Sequence, residues 1–226
     1  MKDKLNVLYE DNHIIVVVKK QNILSQSDST KDIDMLTLVK SYIKEKYNKP
    51  GNVYIGLVHR LDRPTSGIMV FARTSKAAKR LSDDIKNNKM HKSYLAVIPN
   101  FKSKKGTFED YLQKDDKGNA IVTNKENGKY AKLEYELIKE KNNLSLVKIN
   151  LITGRHHQIR VQFASRGYPL YGDQRYGKED KQQLALSSYK LEFTHPVTKE
   201  KLCFKKYPDY GIFNEFKECF DGKESC

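Results

Sequence analysis

One short string concentrates groups that could do chemistry: His59-Arg60-Leu61-Asp62-Arg63-Pro64-Thr65-Ser66-Gly67. Its single carboxylate, Asp62, has a guanidinium within two residues on either side, and opposite charge at a few ångströms favours the ionised acid. Donors from Thr65, Ser66 or loop amides would add to that effect. A carboxylate held ionised is suited to attack as a nucleophile or to remove a weakly acidic proton, and ill suited to donate one. Pro64 fixes its own φ and Gly67 allows an unusual one, so the loop is built to hold a shape. A structural ion pair at a strand end would use the same residues, and the local sequence leaves both readings open.

A second string, Thr153-Gly154-Arg155-His156-His157-Gln158-Ile159-Arg160, follows a strand pattern and opens a helical one. With His157 in the first turn, the positive end of the helix would reinforce Arg155 and Arg160, an arrangement suited to phosphate or to a carboxylate. The two histidines are adjacent, point to different faces and lack the i, i+4 spacing of helical zinc ligands, so no metal is expected. A third run, Gly172-Asp173-Gln174-Arg175-Tyr176-Gly177, reads by composition as a scaffold turn between glycines.

Regular elements must position these strings. Ile14 to Val18 reads as a buried strand and Gln21 to Asp34 as a polar loop. Asp34 caps a helix through Tyr47, with Leu36, Val39 and Ile43 at helical spacing and Pro50-Gly51 closing the segment. Tyr54 to Val58 and Ile68 to Ala72 read as strands, so the Asp62 string is a loop tied to a sheet at both ends. Thr74 caps a second helix, with Ala78, Leu81 and Ile85 in register and Asn87-Asn88 at its end. Tyr94 to Ile98 is a strand, and residues 99 to 131 hold short hairpins with exposed faces. Residues 133 to 137 and 144 to 151 alternate around an Asn142-Asn143 turn, which predicts a pair of antiparallel strands. A helix from His157 to Arg166 stops at Gly167. Leu191 to Phe193 and Leu202 to Phe204 form another hairpin around Pro196, and Phe213, Phe216 and Phe220 mark a terminal helix docked on the core. Strands outnumber helices without β-α alternation, so the fold class is α+β, with a mixed, mostly antiparallel central sheet flanked by helices.

The chain has 226 residues, with 42 Lys and Arg against 28 Asp and Glu, a formal charge of +14. That length suits one domain, taken as residues 1 to 226 with two lobes meeting near 99 to 131, and its core needs no metal or disulfide to staple it. Hydrophobic residues at 38% beside charged residues at 31% exclude a disordered chain. The excess positive charge is spread along the chain and points to a polyanionic partner, nucleic acid ahead of an anionic membrane. Cys203, Cys219 and Cys226 have no C-x-x-C spacing and read as reduced thiols in a cytosol. Met1 to Asn12 is too charged for a signal peptide, and the run Ile14 to Val18 falls far below the ~20 residues of a membrane span. A cytoplasmic location without membrane association is expected.

The strings His59 to Gly67, Gly154 to Val161 (GRHHQIRV) and Gly172 to Gly177 (GDQRYG), in this order and at these separations, resemble the three motifs of the RluA-class RNA pseudouridine synthases. The resemblance runs from residue 13 to about 208, with 209 to 226 as a C-terminal helical extension, and it is to a short form without the separate amino-terminal RNA-binding module. It implies a pseudouridine-synthase fold with an RNA-binding cleft, an isomerase converting a specific uridine of ribosomal or transfer RNA to pseudouridine, and no cofactor. Carried across, it makes Asp62 the catalytic aspartate and Arg160 the basic residue that pairs with it. Tyr94, in Lys92-Ser93-Tyr94-Leu95-Ala96-Val97, becomes the tyrosine that packs against the target base and serves the later proton transfer. Substrate contacts are expected from His59, Arg60, Arg63, Thr65, Gly67, Arg155, His157 and Gln158. Asp62 could serve by attack on carbon or by removing the ribose 2′ proton, and the sequence does not choose.

Two departures stand out. Lys19-Lys20-Gln21-Asn22 occupies a place where the family usually has a lysine followed by proline, so a looser turn is expected after the first strand. Ser187 and Ser188 stand where many members carry histidine and alanine, which alters the cleft wall. RNA is the expected partner of a monomer with no obligatory protein partner. The alternative is a non-catalytic basic RNA-binding or ribosome-associated protein. A metal-dependent nuclease using His59, His156 and Asp173 would need an acidic pair that the strings lack.

Overall fold

The structure is a computed structural model that describes residues 5–177 and 181–220. Along the chain the first elements are β1 (Asn6–Glu10), β2 (Ile14–Lys19), α1 (Met35–Lys46), β3 (Gly56–Leu57), β4 (Ser66–Ala72) and α2 (Ser75–Lys86). There follow β5 (His91–Pro99), β6 (Lys105–Lys114), β7 (Ala120–Thr123), β8 (Lys129–Lys141) and β9 (Leu144–Leu151). The last are α3 (Gln158–Ala164), β10 (Leu186–Thr194), β11 (Lys201–Lys205) and a 3-10 helix, Gly211–Cys219. The chain divides into two compact units, Met1–Met90 with Lys190–Lys206, and His91–Tyr189 with Tyr207–Cys226. Residues 99 to 131, expected at a junction of lobes, lie wholly inside the second.

In the first unit β2 pairs antiparallel with β1 and with β4, in a register that sets Ile14 opposite Ala72 and Lys19 opposite Gly67. β2 and β4 are almost wholly buried, which is why they read as continuous apolar runs without alternation. Asp34 caps α1 by accepting from the Thr37 N–H at 3.0 Å, and Thr74 caps α2 through Ala77 at 3.1 Å. Ala77 and Leu81 pack on Ile14, Val16, Ile68 and Val70. The caps and spacing placed both helices within a residue of their ends. β3 keeps only two of the five residues expected for its strand. β1 has no counterpart in the sequence reading, because Asn-Val-Leu-Tyr-Glu carries neither clean alternation nor an apolar run.

The second unit holds an antiparallel series in the order β5-β9-β8-β6-β7. Asn142 and Asn143 join β8 to β9 with φ of 53° and 60°, the left-handed pair that a two-residue hairpin demands. Phe163 of α3 lies against the rings of Phe101, Phe108 and Tyr135. α3 is shorter than the helix expected over 157 to 166, because His157 is a left-handed N-cap at φ 50° and stands outside it. Phe213 and Phe216 dock on Leu95, Val97 and Leu146 as expected, but as a 3-10 helix kinked at Phe216. Of the three cysteines read as reduced thiols, Cys226 lies outside the described residues. The architecture is α+β with mostly antiparallel strands, as expected. Among the described residues no helix is long and apolar enough to cross a membrane.

Candidate active site

In the first unit the Asp62 string leaves β3 and enters β4. Its backbone is gripped by the segment just after β2. The Ser25 hydroxyl donates to the Leu61 carbonyl at 2.7 Å and accepts the Leu61 N–H at 3.0 Å. The Arg63 carbonyl accepts from the Asn22 N–H and from Lys19 Nζ, both at 2.9 Å. Gln21 Nε2 donates to the Pro64 carbonyl at 3.0 Å. The expected looser turn is therefore a tied one, and Asn22 takes the left-handed φ of 63° that lets the chain double back.

Within the string, Thr65 donates its backbone N–H to the Asp62 carbonyl at 3.0 Å, closing a turn over Arg63 and Pro64. The Thr65 hydroxyl is buried without a hydrogen bond among the described residues. His59 is buried, and its Nε2 accepts the Val70 N–H at 3.0 Å, which fixes the ring to β4 and puts any proton of the neutral ring on Nδ1. Gly67 has φ 126°, a conformation that excludes a side chain. Arg60 and Arg63 are exposed, and Arg63 pairs with Asp32 at 2.7 Å. Asp62 itself is half-buried.

Lys19 is 0% exposed. Burial pushes its ammonium down to about 7, with the Asp62 carboxylate working to raise it and Arg63 to lower it further. A lysine near neutrality beside the Asp62 loop was not among the expected site residues; its sequence signals were its position at the end of an apolar strand and its place where the family usually has a lysine followed by proline.

In the second unit Tyr94 lies on β5, buried, in register with Ile149 of β9. Arg160, 5% exposed, binds Asp173 in bidentate fashion, Nε to Oδ2 at 2.8 Å and Nη2 to Oδ1 at 2.7 Å. Asp173 takes two of the guanidinium's five N–H donors. Burial alone would raise the Asp173 carboxyl, but the Arg160 pair and the N–H groups of Tyr176 and Arg175 outweigh it and hold the group below the usual range. The GDQRYG turn, read as scaffold, is thus the scaffold of Arg160, with an ion pair at its centre.

Tyr176 extends the network. Its hydroxyl accepts the Ala120 N–H at 2.8 Å and pairs with His157 Nδ1, also at 2.8 Å. Burial, then the charges of Arg160, His156 and Arg175, push His157 down to about 3, which leaves a neutral ring. Gln158 has its amide committed: Oε1 accepts from Thr153 and from the Arg155 N–H, and Nε2 donates to the Lys132 carbonyl. Arg155 is exposed, with Nε donating to the Tyr130 carbonyl at 2.8 Å, and His156 stacks on His157 at 3.7 Å. Asp173 and Tyr176, like Lys19 and Ser25, are positions that the expected site lacked.

The sequence model of the RNA pseudouridylate synthases matches residues 13–165, a span that contains Asp62, Tyr94 and Arg160. The chain belongs to the RNA pseudouridylate synthase family. Over 212 residues it is 34% identical to ribosomal large subunit pseudouridine synthase D of Borreliella burgdorferi, covering 89% of this chain and 63% of that protein. An uncharacterized RNA pseudouridine synthase of Bacillus subtilis is 32% identical over 87% of this chain and 66% of its own length. The chain thus spans a little under two thirds of these pseudouridine synthases. In fold it is similar to human RNA Pseudouridylate Synthase Domain Containing 4, with a TM-score of 0.75 at 20% identity over 90% of this chain and 89% of that one. The human Domain Containing 1 protein superposes with a TM-score of 0.73 at 18% identity, over 99% of this chain and 98% of the other.

Proposed function

We propose that this chain isomerises uridine to pseudouridine in RNA, with large-subunit ribosomal RNA as the substrate. The observation that carries the reading is the family match over residues 13–165, which takes in every residue expected to react. The Borreliella burgdorferi relative is named for the large ribosomal subunit, which favours ribosomal over transfer RNA. Isomerisation breaks the bond between uracil N1 and ribose C1′, turns the base, and joins C5 to C1′; C5 loses a proton and N1 gains one. Nothing is oxidised or reduced, so this chemistry asks for no cofactor.

The Asp62 carboxylate is the reacting group, and its pinned backbone supports that role, since a reacting group gains most from being held in one geometry. Tyr94 serves as the surface for the extruded base, and Arg160 as the counter-charge of the carboxylate. Exposed Arg60, Arg63 and Arg155 serve as phosphate contacts, while His59, Gly67 and Gln158, held inside, shape the strings that present them. A uridine must leave its stack to be reached, at a cost of a few kcal/mol that phosphate contacts by a basic chain offset.

The test is a large-subunit RNA transcript carrying tritium at uridine C5. Each conversion releases one tritium to water. Release is expected to persist in EDTA without strand cleavage, and to fall by at least roughly a thousandfold in Asp62→Asn while RNA affinity stays within about twofold. Strand cleavage, or binding with no release by the parent protein, overturns the proposal, and the second outcome favours a non-catalytic RNA binder.

A further inference from the structure

Ser25 sits in a polar loop with no chemistry of its own, yet the residue is only 6% exposed. One hydroxyl satisfies both backbone groups of Leu61, the residue immediately before Asp62, across 36 positions of sequence. Leu61 is buried, so water is no substitute for either bond. Ser25 is anchored in turn. The Leu24 N–H donates to the Ile33 carbonyl at 3.3 Å, and the Met35 N–H to the Leu24 carbonyl at 2.8 Å, which ties the loop to the first residue of α1. Gln21, Asn22 and Lys19 hold the carbonyls of Pro64 and Arg63 on the other side of Asp62.

The peptide that precedes Asp62 and the two that follow Arg63 are therefore fixed from one segment, while the Asp62 carbonyl is held by the Thr65 N–H; a tilt of the Leu61–Asp62 peptide would swing the carboxylate on its short side chain. We propose that Ser25 is a positioning residue for Asp62: its hydroxyl locks the Leu61–Asp62 peptide and so aims the carboxylate at the sugar of the target uridine. The inference rests on Asp62 as the reacting group. Ser25 touches no substrate in this scheme, so its loss affects the rate of the chemical step and leaves RNA binding in place.

The test compares Ser25→Ala, Ser25→Thr and Asp62→Asn in the full chain, on the tritium-labelled transcript. Single-turnover release gives the rate, and filter binding gives the affinity. Ser25→Ala is expected to slow release roughly 10- to 100-fold, the effect of misplacing a reacting group by about an ångström, with affinity within about twofold. Ser25→Thr keeps the hydroxyl and is expected to recover most of the rate. A parental rate in Ser25→Ala, or rate and affinity lost in equal proportion, overturns the positioning role. If circular dichroism shows that Ser25→Ala does not fold, Gln21→Ala cuts the clasp at its less buried end. It is expected to slow release several-fold at unchanged affinity, and a parental rate there overturns the proposal. Asp62→Asn separates the two layers. Release retained in Asp62→Asn removes the reacting carboxylate itself, whereas release lost in Asp62→Asn and parental in Ser25→Ala removes only the clasp.

Discussion

The loop that carries Asp62 and the segment that carries Arg160 are held by opposite means. Around Asp62, side chains and amides reach for backbone carbonyls: Ser25 to Leu61, Asn22 and Lys19 to Arg63, Gln21 to Pro64. The ion pair of Arg63 with Asp32 is exposed on both sides and adds little. Around Arg160, the work falls to side chains bearing charge, with Asp173 buried against the guanidinium and Tyr176 bridging Ala120 to His157. A clasp on the backbone fixes the place from which the carboxylate is presented, whereas a buried bidentate pair holds the cation by its charge. The first design suits a group that must react, and the second a group that must stay charged and still.

If that contrast holds, its strongest consequence lies in the second unit. Asp173→Asn keeps the size of the side chain, but it removes the charge and turns a donor toward Arg160 Nε. The buried guanidinium then loses the bidentate carboxylate that holds it, a change expected to destabilise the fold by about 3–5 kcal/mol. Urea unfolding measures it. A loss under about 1 kcal/mol would mean that Arg160 is held by something other than Asp173, and the contrast would fail at its root. Ser25→Ala should lose stability as well, through the two buried backbone groups of Leu61, and lose rate besides.

Much of this arrangement was legible before the structure, and what was not has physical causes. Asp34 and Thr74 announced their helices, and Asn142-Asn143 its hairpin, because caps and two-residue turns act within three or four positions. The 3-10 helix kept its buried phenylalanines but not its expected form, since i, i+3 spacing suits both helices. Asp62 and Arg160 were visible as charges in unusual strings. Their supports were not, because Ser25 meets Leu61 across 36 positions and grips a carbonyl, which every residue has. A backbone acceptor leaves no mark in a sequence. Asp173 stood in view in GDQRYG, but composition cannot show that its oxygens point at a guanidinium 13 residues back.

Lys19 offers a sharper probe of the first unit, where the only cation in the clasp is one that burial discourages. Its ammonium is pushed down to about 7 from 10.5. Between those values the unfolded chain holds a proton that the folded protein has shed, so stability should rise with pH from about 7 to about 10.5. Lys19→Met removes that contribution. The gain in unfolding free energy across this window should be smaller in the variant by about 4 kcal/mol. Lys92, pushed down to about 8 by burial, adds a slope of the same sign to both proteins and cancels in the difference. Parallel profiles would show that Lys19 stays fully charged in the fold, and that the clasp is ionic after all.

The smallest effect tests whether the second unit's network is electrostatic throughout or has a neutral part. Tyr176→Phe keeps the ring under Arg160, whose guanidinium carbon lies 5.2 Å from its centroid, and deletes only the hydroxyl. The buried Ala120 N–H then has no acceptor, which should cost about 1–2 kcal/mol at neutral pH. His157 loses the hydroxyl that pairs with Nδ1, but burial and the neighbouring cations, which hold the ring down to about 3, remain. A histidine depressed in this way lowers stability as pH falls from about 6.5 toward 3, because the unfolded chain takes up the proton first. That acid slope should therefore be the same in Tyr176→Phe as in the parent, beneath a uniform offset, when urea unfolding is followed from pH 7 to pH 4. A flattened slope would assign the neutrality of His157 to the tyrosine hydroxyl instead of to burial and charge, and the two units would then be held more alike than their geometry suggests.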